Sequence, residues 1–407
     1  MNTIPKKQQF FALLSLAITA FAIGTTEFIS VGLLPMISND LNTSVQTAGL
    51  TVSIYAIGVV IGAPVLTLLF SSIPRKKLLL IVMIIFIVGN SISMLSYSMW
   101  LLLVSRLVSA LAHGVFMSIG STIAASIVPR EKRASAISIM FTGLTVATIT
   151  GVPFGTFIGQ QLGWRFAFGF IVCVGIIALI ANWRLLPESI KQGPKPLYKE
   201  QIKLIKTKQI LLVFIITALG YGGTFVVFTY LSPLLQEVTG YTASTVTLLL
   251  LFYGITVAIG NIIGGKLANE KPIYSLFYMF IIQAIVLFVL YFTVPFKGFG
   301  LLFVLLMGLF AFMNVPGLQA YVVILAERFV PTAVDVASAL NIAAFNLGIA
   351  FGSYLGGAVI HSIGLIHTTW IGSLMVLLAA GLTSISIKFE KEEERSNHEL
   401  SKIYSVK

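Results

Sequence analysis

The sequence predicts an all-α membrane protein in which twelve transmembrane helices form two pseudo-symmetric halves of six helices each. An apolar composition, twelve apolar runs and an internal repeat lead to this fold class. Of the 407 residues, 57% are hydrophobic and 10% are charged, whereas ordinary soluble domains have about 25% charged residues. The mean hydropathy is +0.99. This composition excludes a soluble enzyme and a disordered protein, and the single cysteine, Cys173, excludes an internal disulfide framework.

Apolar runs between polar breaks give the positions of the twelve spans, and each run is long enough for the about 20 residues that cross a bilayer. Spans 1 to 6 are predicted at 10–34, 45–70, 78–96, 99–127, 135–160 and 166–186. Spans 7 to 12 are predicted at 209–234, 244–265, 273–295, 299–325, 336–360 and 366–387. The polar, proline-containing loop 187–208 therefore separates an N-terminal half, 1–186, from a C-terminal half, 209–388, and a tail follows at 389–407.

Lysine and arginine residues predict the orientation, because they accumulate in loops on the cytoplasmic side. Of the 26 such residues, Arg165 and Lys297 lie in connections on one side of the predicted spans, and Arg106 lies within span 4. All the others lie on the opposite side, together with both termini and the central loop. We therefore expect a multi-pass protein of the cell membrane with both termini in the cytoplasm. Contact with anionic lipid headgroups is the alternative role for the lysines of the loop.

The two halves resemble each other at a shift of 198 residues. At this shift Thr47 aligns with Thr245 and Pro35 with Pro233, and the register holds over a whole helical hairpin. Two six-helix halves of the same orientation are typical of secondary transporters, which bind their solute between the halves near the midplane. The chain contains no G-x-x-x-x-G-K-[ST] nucleotide loop. Energy for transport would therefore come from a gradient, without a bound cofactor.

The net charge of +12 does not indicate a nucleic-acid partner. Such a partner requires a basic face or a binding motif, and here the basic residues form short clusters between apolar runs. The bilayer itself is the expected macroscopic partner, and we expect a monomer.

Short motifs in several spans carry a family resemblance. They are Gly24–Phe28 and Gly32–Pro35 in span 1, Ser105–Leu107 and His113–Gly114 in span 4, Gly151–Gly155 in span 5, Gly163–Arg165 after it, and Asn341 with Phe345–Gly348 in span 11. Together they resemble the major facilitator superfamily, and within it the twelve-span drug:proton antiporter branch, in the group of bacterial arabinose-efflux-like permeases. The resemblance covers nearly the full length and implies export of small organic solutes in exchange for protons across a bacterial cytoplasmic membrane.

The chain departs from this family in the loop between spans 2 and 3, which usually carries G-x-L-A-D-R-x-G-R-K. The acid of that motif is replaced by Ser71, while Arg75 and Lys76 keep its basic part. The second copy has Asn269 at the position of the acid. A charge latch that depends on this acid is therefore not expected on the cytoplasmic side.

Glu27 and Arg106 are the two charged residues predicted well inside the spans. A charge at the bilayer centre costs about 2.5–3.5 kcal/mol on insertion scales, so such residues are usually functional. Both should lie roughly 10 Å below the outer face at 1.5 Å per residue, which would allow them to interact. In the repeat, Phe225 takes the place of Glu27, so the charge belongs to the N-terminal half alone. The structural alternatives are a buried, protonated Glu27 and an Arg106 whose side chain extends to the interface.

Three further groups of residues complete the predicted site. His113 shares a helix face with Arg106 and would either relay protons or simply pack beside Gly114. The resemblance assigns Gly151, Pro153 and Gly155 to a gating motif that seals the outward half of the contact between spans 5 and 8, with tight packing as the alternative. Polar and aromatic residues at mid-span are candidate solute contacts: Thr26, Ser30, Tyr55, Phe141, Tyr230, Asn314, Gln319, Asn341, Phe345 and Asn346.

The sequence thus predicts a proton-coupled exporter with no enzymatic activity, no metal and no cofactor. Its mostly apolar lining and single acid suit a small amphipathic or weakly cationic solute. An uptake carrier or facilitator of the same fold is the first alternative. A non-transporting membrane sensor would be expected to have a domain outside the membrane, and the short loops leave no room for one. A membrane enzyme would require a catalytic constellation, which the motifs do not provide.

Overall fold

A computed structural model describes residues 5–66, 69–70, 73–128, 133–188, 198–268 and 272–405. Ser71, Asn269 and residues 189–197 of the predicted central loop lie outside the described residues. In the described part of the chain, eleven helices are long and apolar enough to cross a membrane, and the shorter apolar helix Val45–Ile61 adds a twelfth. The prediction of an all-α membrane protein with two halves of six spans is confirmed, and the spans are numbered α1 to α12.

Most helices begin and end close to the predicted positions. Span 2, predicted over 45–70, differs: its α-helix ends at Ile61 and a π-helical segment, Gly62–Leu66, follows. In the N-terminal half, α1 to α6 are Lys6–Asp40, Val45–Ile61, Arg75–Met94, Met99–Ser126, Arg133–Leu162 and Trp164–Leu185. A short helix, Tyr198–Lys206, precedes the C-terminal half. There, α7 to α12 are Lys208–Phe228, Ala243–Leu267, Pro272–Thr293, Lys297–Phe329, Val334–Ser362 and Thr368–Ser405. Helix α12 continues past the predicted end at 387, because glutamate and lysine in its last turns are good helix formers.

Proline residues interrupt the regular hydrogen bonding of two spans. In α5, a π-helical segment, Ala147–Gly151, lies just before Pro153. Beyond α7, the helical residues Leu231–Pro233 lead into a second π-helical segment, Leu234–Val238. A proline inside a helix has no N–H for the carbonyl four residues earlier, and a widened π turn accommodates such a break. Span 7 is therefore not the continuous helix that was predicted over 209–234.

Glycine residues allow α5 and α11 to pack closely against the first helix of their own half. In α5, a Cβ at Gly151 would clash with Thr25 of α1. In α11, a Cβ at Gly352 would clash with the main-chain oxygen of Gly222 in α7. The same packing therefore recurs in both halves, as expected for small residues at intervals of four.

The internal repeat also appears at the helix ends. The side chain of Ser44 accepts a hydrogen bond from the main-chain nitrogen of Thr47 at the start of α2 (3.1 Å). Thr242 caps α8 in the same way through Thr245 (3.3 Å). These four residues are equivalent at the shift of 198, so the sequence repeat is a repeat of helix-capping geometry.

Two ion pairs lie at opposite ends of the N-terminal half. At one end Arg165 pairs with Asp40 (2.6 Å), and at the other Lys76 pairs with Glu188 (2.7 Å). Following the charge prediction, we call the end with Asp40 the outer side and the end with Lys76 the inner side. Lys76, the retained basic part of the loop motif, thus binds an acid that follows α6.

The two halves are in contact with each other mainly through three pairs of elements. Helix α2 packs against α11, α1 contacts the Leu231–Pro233 segment, and α8 contacts α5 through its Ala147–Gly151 and Val152–Leu162 segments. On the outer side, the amide nitrogen of Gln160 donates to the main-chain oxygen of Ala243 (2.8 Å). Each half also has its own large cluster of buried apolar side chains.

Gly264 provides a direct test of the close helix packing. In α8, a Cβ at Gly264 would clash with the main-chain oxygen of Met313 in α10, whereas a Cβ at the neighbouring Gly265 would lie 3.8 Å from Pro316. We expect Gly264→Ala to lose about 1–3 kcal/mol, the usual effect of overpacking. Thermal unfolding of the purified protein should show a lower midpoint for this variant. Gly265→Ala is the matched control and should keep or raise the midpoint; equal midpoints for both variants would contradict this packing.

Candidate functional site

A buried arginine joins three helices of the N-terminal half. The side chain of Arg106, in α4, is fully buried. Its Nη1 donates to the main-chain oxygen of Thr26 (2.8 Å) and its Nη2 to that of Glu27 (3.4 Å), both in α1. Its Nε donates to the main-chain oxygen of Thr51 in α2 (3.3 Å). The planar fork of donors in a guanidinium is suited to several acceptors at once, so Arg106 holds α1, α2 and α4 together.

Aromatic rings cover the faces of this guanidinium. Its central carbon lies 4.1 Å from the ring centroid of Tyr55 and 5.9 Å from that of Phe168, both within the range of cation–π attraction. The ring of His113 lies 5.7 Å from that of Tyr55. The Tyr55 hydroxyl and the His113 Nδ1 are buried and have no hydrogen-bond partner in the described part of the chain. These groups are therefore available to a proton or a solute.

Glu27 lies beside Arg106, so the two charged residues predicted inside the spans are neighbours. Arg106 binds its main-chain oxygen, but among the described residues the carboxylate makes no ion pair. The side chain is 8% exposed. The next residue of α1, Phe28, contacts aromatic rings of the C-terminal half. Glu27 is therefore one residue away from a contact between the two halves.

An aromatic cluster lies in the C-terminal half at its contact with α1. Tyr221 is its centre, and its ring centroid lies 5.0 Å from Phe225, 5.5 Å from Phe312 and 5.0 Å from Phe345. The cluster also includes Phe228 and Tyr253, whose rings stack at 5.1 Å. We call these six residues the aromatic cluster.

The aromatic cluster reaches across the interface between the halves. Phe28, the neighbour of Glu27 in α1, lies 6.2 Å from Phe225 and 6.1 Å from Phe228. Phe225 is the residue that the repeat aligns with Glu27. The equivalent segments of α1 and α7 therefore meet through aromatic rings, and the acid belongs to the α1 segment alone.

The predicted solute contacts of the N-terminal half have different surroundings. The Thr26 hydroxyl donates to the side chain of Asn90 (3.2 Å). The hydroxyl of Ser30 is buried without a hydrogen-bond partner in the described part of the chain. Phe141 is half-buried and packs against the apolar cluster of its own half. The structure therefore places Thr26 and Tyr55 beside Arg106 and places Phe141 in the packing of α5.

In the C-terminal half, several predicted contacts form a chain of amide and hydroxyl groups. The Thr217 hydroxyl donates to the Asn341 side chain (2.9 Å), which donates to Gln319 (2.9 Å). Gln319 in turn donates to the main-chain oxygen of Ser338 (3.3 Å). This network links α7, α10 and α11. Its member Asn341 lies one helical turn before the aromatic cluster residue Phe345 in α11.

Three other predicted contacts lie outside that network. Asn314 is fully buried, and neither its amide oxygen nor its nitrogen has a partner among the described residues. The Asn346 side chain donates to the Ile342 oxygen of its own helix (3.0 Å). Tyr230 donates to the Ser353 main-chain oxygen (2.9 Å), and a Cβ at Gly49 of α2 would clash with its hydroxyl. Tyr230 thus belongs to the contact between the halves on the outer side.

The predicted gating residues of α5 divide between two surfaces. Gly151 and Gly155 approach α1 of the same half, at Thr25 and Ile29. Gly151 and Pro153 also line a cavity between α5 and α8. Helix α8 contacts both segments of α5, and residues 148 and 149 lie against its Gly254. The glycines allow close packing of α5 on α1, and the gating role of Gly151, Pro153 and Gly155 stays a prediction.

Most of the aromatic cluster was not among the predicted site residues. Tyr221, Phe225 and Phe228 follow each other at intervals of four and three, a spacing that places them on one face of α7. This spacing and the alignment of Phe225 with Glu27 were the signals available in the sequence. They were obscured because the chain has 30 phenylalanine residues, many of which face lipid. In the described part of the chain, no group of three His, Cys, Asp or Glu residues could hold a metal ion.

The fold and the buried site define a membrane transporter built from two repeated halves. The major facilitator superfamily model matches residues 16–327. The uncharacterized MFS-type transporter YtbD of Bacillus subtilis is 66% identical, over 97% of this chain and 99% of that protein. A probable sugar efflux transporter of Helicobacter pylori is 31% identical, over 96% of this chain and all of that protein.

A solved structure shares the fold. The bacterial homologue of the human lysosomal transporter Spinster, in an inward-facing and occupied conformation, superposes with a TM-score of 0.77 at 15% identity, over 95% of this chain and 98% of that one. With the sequence relatives, this similarity leads to one conclusion: the chain belongs to the major facilitator superfamily and is a transporter, not an enzyme.

The contacts of Arg106 predict that it acts mainly by positioning helices. Arg106→Gln should strongly reduce thermal stability, because each hydrogen bond to a charged group contributes about 1.5–3 kcal/mol. The thermal stability of Arg106→Lys should lie between those of the parent and of Arg106→Gln, since an ammonium group lacks the planar fork of donors. Thermal unfolding and solute binding should be measured on the same samples. Arg184→Gln, at an exposed arginine, is the control. Unchanged stability with lost solute binding in Arg106→Gln would make Arg106 a solute ligand.

Proposed function

We propose that this transporter exports small organic solutes in exchange for protons, with Glu27 as the proton-carrying group. The observation that carries the proposal is the position of the Glu27 carboxyl. It is buried, has no ion-pair partner among the described residues, and belongs to the residue before Phe28, which contacts the aromatic cluster. The other proposed elements are a proton gradient as the energy source, no bound cofactor, and a monomer in the cell membrane with both termini in the cytoplasm.

The exchange follows from the cost of burying a charge. An ionised carboxylate in an apolar site requires compensation. Arg106 directs three of its five N–H donors at main-chain oxygens and makes no ion pair with the carboxylate. We infer that the remaining compensation comes from a proton or from a solute that donates hydrogen bonds or carries positive charge. Proton and solute would therefore bind in alternation at Glu27. Alternating occupancy of one site, combined with movement of the two halves, is sufficient for antiport.

His113 and Tyr55 are the groups proposed to assist proton transfer. The Tyr55 hydroxyl and the His113 Nδ1 are buried and lack hydrogen-bond partners in the part of the chain that the structure describes. The Tyr55 ring adjoins both the His113 ring and the Arg106 guanidinium. His113 lies seven residues farther than Arg106 from the outer end of α4, so a proton that leaves Glu27 toward the inner side would meet an imidazole able to accept it.

Two solute classes have support from particular observations. The aromatic cluster and Glu27 favour amphipathic or weakly cationic organic molecules, because aromatic faces attract both apolar groups and cations. The name of the Helicobacter pylori relative refers to sugar efflux. The amide network of Asn341 and Gln319 supports a hydroxylated solute of that kind, since amides both donate and accept hydrogen bonds. The same name favours export over uptake.

The most direct functional test is uptake into proteoliposomes with and without an imposed pH gradient. The screen should include organic cations, neutral amphiphiles and sugars. Glu27→Gln should abolish accumulation driven by the gradient and keep downhill exchange of solute, because the amide cannot release a proton. Glu237→Gln, at an exposed position of the outer side, is the matched control and should behave like the parent. Accumulation by Glu27→Gln at the parent rate would contradict the proposal.

Movement of α5 against α8 is the second testable part of the proposal. Cysteines at Gln160 and Ala243, in a background with Cys173→Ser, would allow a short thiol cross-linker to join the halves on the outer side. We expect cross-linking to abolish transport and cleavage of the linker to restore it, because outward opening separates this pair.

The control pair consists of cysteines at Asp40 and Arg165, which lie on the outer side but within one half. Cross-linking of this pair should leave transport intact. Full transport after quantitative cross-linking of the first pair would show that α5 and α8 do not separate on the outer side.

A further inference from the structure

A cavity of about 560 Å³ lies on the flank of the molecule between α5 and α8. Its size is within the range of small-ligand sites, about 300–1,000 Å³. Phe154 and Phe157 of α5 and Leu248 of α8 form its mouth, and each of these side chains is about half exposed. Phe21 of α1 and Phe170 of α6 also line it. Because the chain spans the membrane, this exposed apolar opening faces hydrocarbon.

Two contacts between the halves bound the cavity along the helix axes. At the deep end, Gly254 approaches the main chain of residues 148 and 149. At the outer end, Gln160 is hydrogen-bonded to Ala243. The boundaries are 11 residues apart in α8 and 12 in α5, which corresponds to about 16–18 Å at 1.5 Å per residue. This is close to half of the about 30 Å hydrocarbon thickness of a bilayer, so the cavity extends along one leaflet.

The chemistry of the cavity wall favours a hydrocarbon ligand. The hydroxyls of Thr150 and Thr247 donate to the Val146 and Ala243 oxygens of their own helices (2.9 and 3.4 Å). Their methyl groups and the phenylalanine rings then form most of the surface. A ligand with unmet hydrogen-bonding groups would be disfavoured there, whereas methylene groups contribute about 0.8 kcal/mol each on burial.

We propose that this cavity binds one acyl chain of a phospholipid from the adjacent leaflet, the outer leaflet in the predicted orientation. The acyl chain fills the space between two contacts that join the halves on the outer side. It therefore contacts both halves in the arrangement seen here, and this binding surface is divided when α5 and α8 separate. The bound lipid stabilises the closed outer side, independently of which solute the transporter carries.

The test is retention of phospholipid by the protein purified in mild detergent, measured by native mass spectrometry. The parent should retain one phospholipid per chain. Leu251→Trp and Thr247→Phe, which fill the cavity from α8, should reduce the retained fraction about tenfold, equivalent to about 1.4 kcal/mol. Ile259→Trp adds similar bulk to an exposed position of α8 outside the cavity and should retain the lipid. Size-exclusion profiles establish that each variant is folded.

Cross-linking Gln160→Cys to Ala243→Cys supplies a second arm, because it holds the outer boundary of the cavity in place and should increase the amount of lipid retained after extended detergent washing. Equal retention by the parent and both filled variants would overturn the proposal. So would retention of detergent alone, or of a solute without phospholipid. Retention that does not change on cross-linking would overturn the link between the lipid and the closed outer side.

Discussion

The hydrogen bonds from the buried guanidinium of Arg106 to main-chain oxygens of α1 and α2 are the constraint on which the site depends. A buried charge must be compensated, and here main-chain oxygens and an aromatic face supply the compensation. Because these partners belong to two different helices, the arginine determines how α1, α2 and α4 approach one another. The same contacts fix the depth of Glu27 and leave its carboxylate without a counterion among the described residues.

The repeat explains why this site lies where it does. Ser44 and Thr242 cap equivalent helices, and glycines of α5 and α11 pack on equivalent partners, so the scaffold is nearly the same in both halves. The chemistry is not repeated: Glu27 in one half corresponds to Phe225 in the other. Since the equivalent segments of α1 and α7 meet at the interface, the departure from symmetry places one acid a single residue away from the aromatic contact between the halves. Such a site responds to both a proton and an apolar solute.

The fold could be predicted from the sequence because the spans are visible as long apolar runs and the repeat as matching residues at a constant shift. The proximity of Glu27 and Arg106 could also be predicted, since it follows from counting residues along α1 and α4. The partners of Arg106 could not, because main-chain oxygens are present at every residue and leave no mark in the sequence. The approach of the α5 glycines to α1 could not be predicted, since a stripe of small residues does not reveal which helix it faces.

The central claim is that Glu27 is the carboxyl that exchanges its proton for solute. Infrared difference spectroscopy of the purified protein in heavy water measures this directly, through the carbonyl stretch of a protonated carboxylic acid. The account predicts a band that disappears when a transported solute binds and that is absent from the Glu27→Gln variant. A band of the same size and the same response to solute in Glu27→Gln would assign the proton to another group and contradict the account.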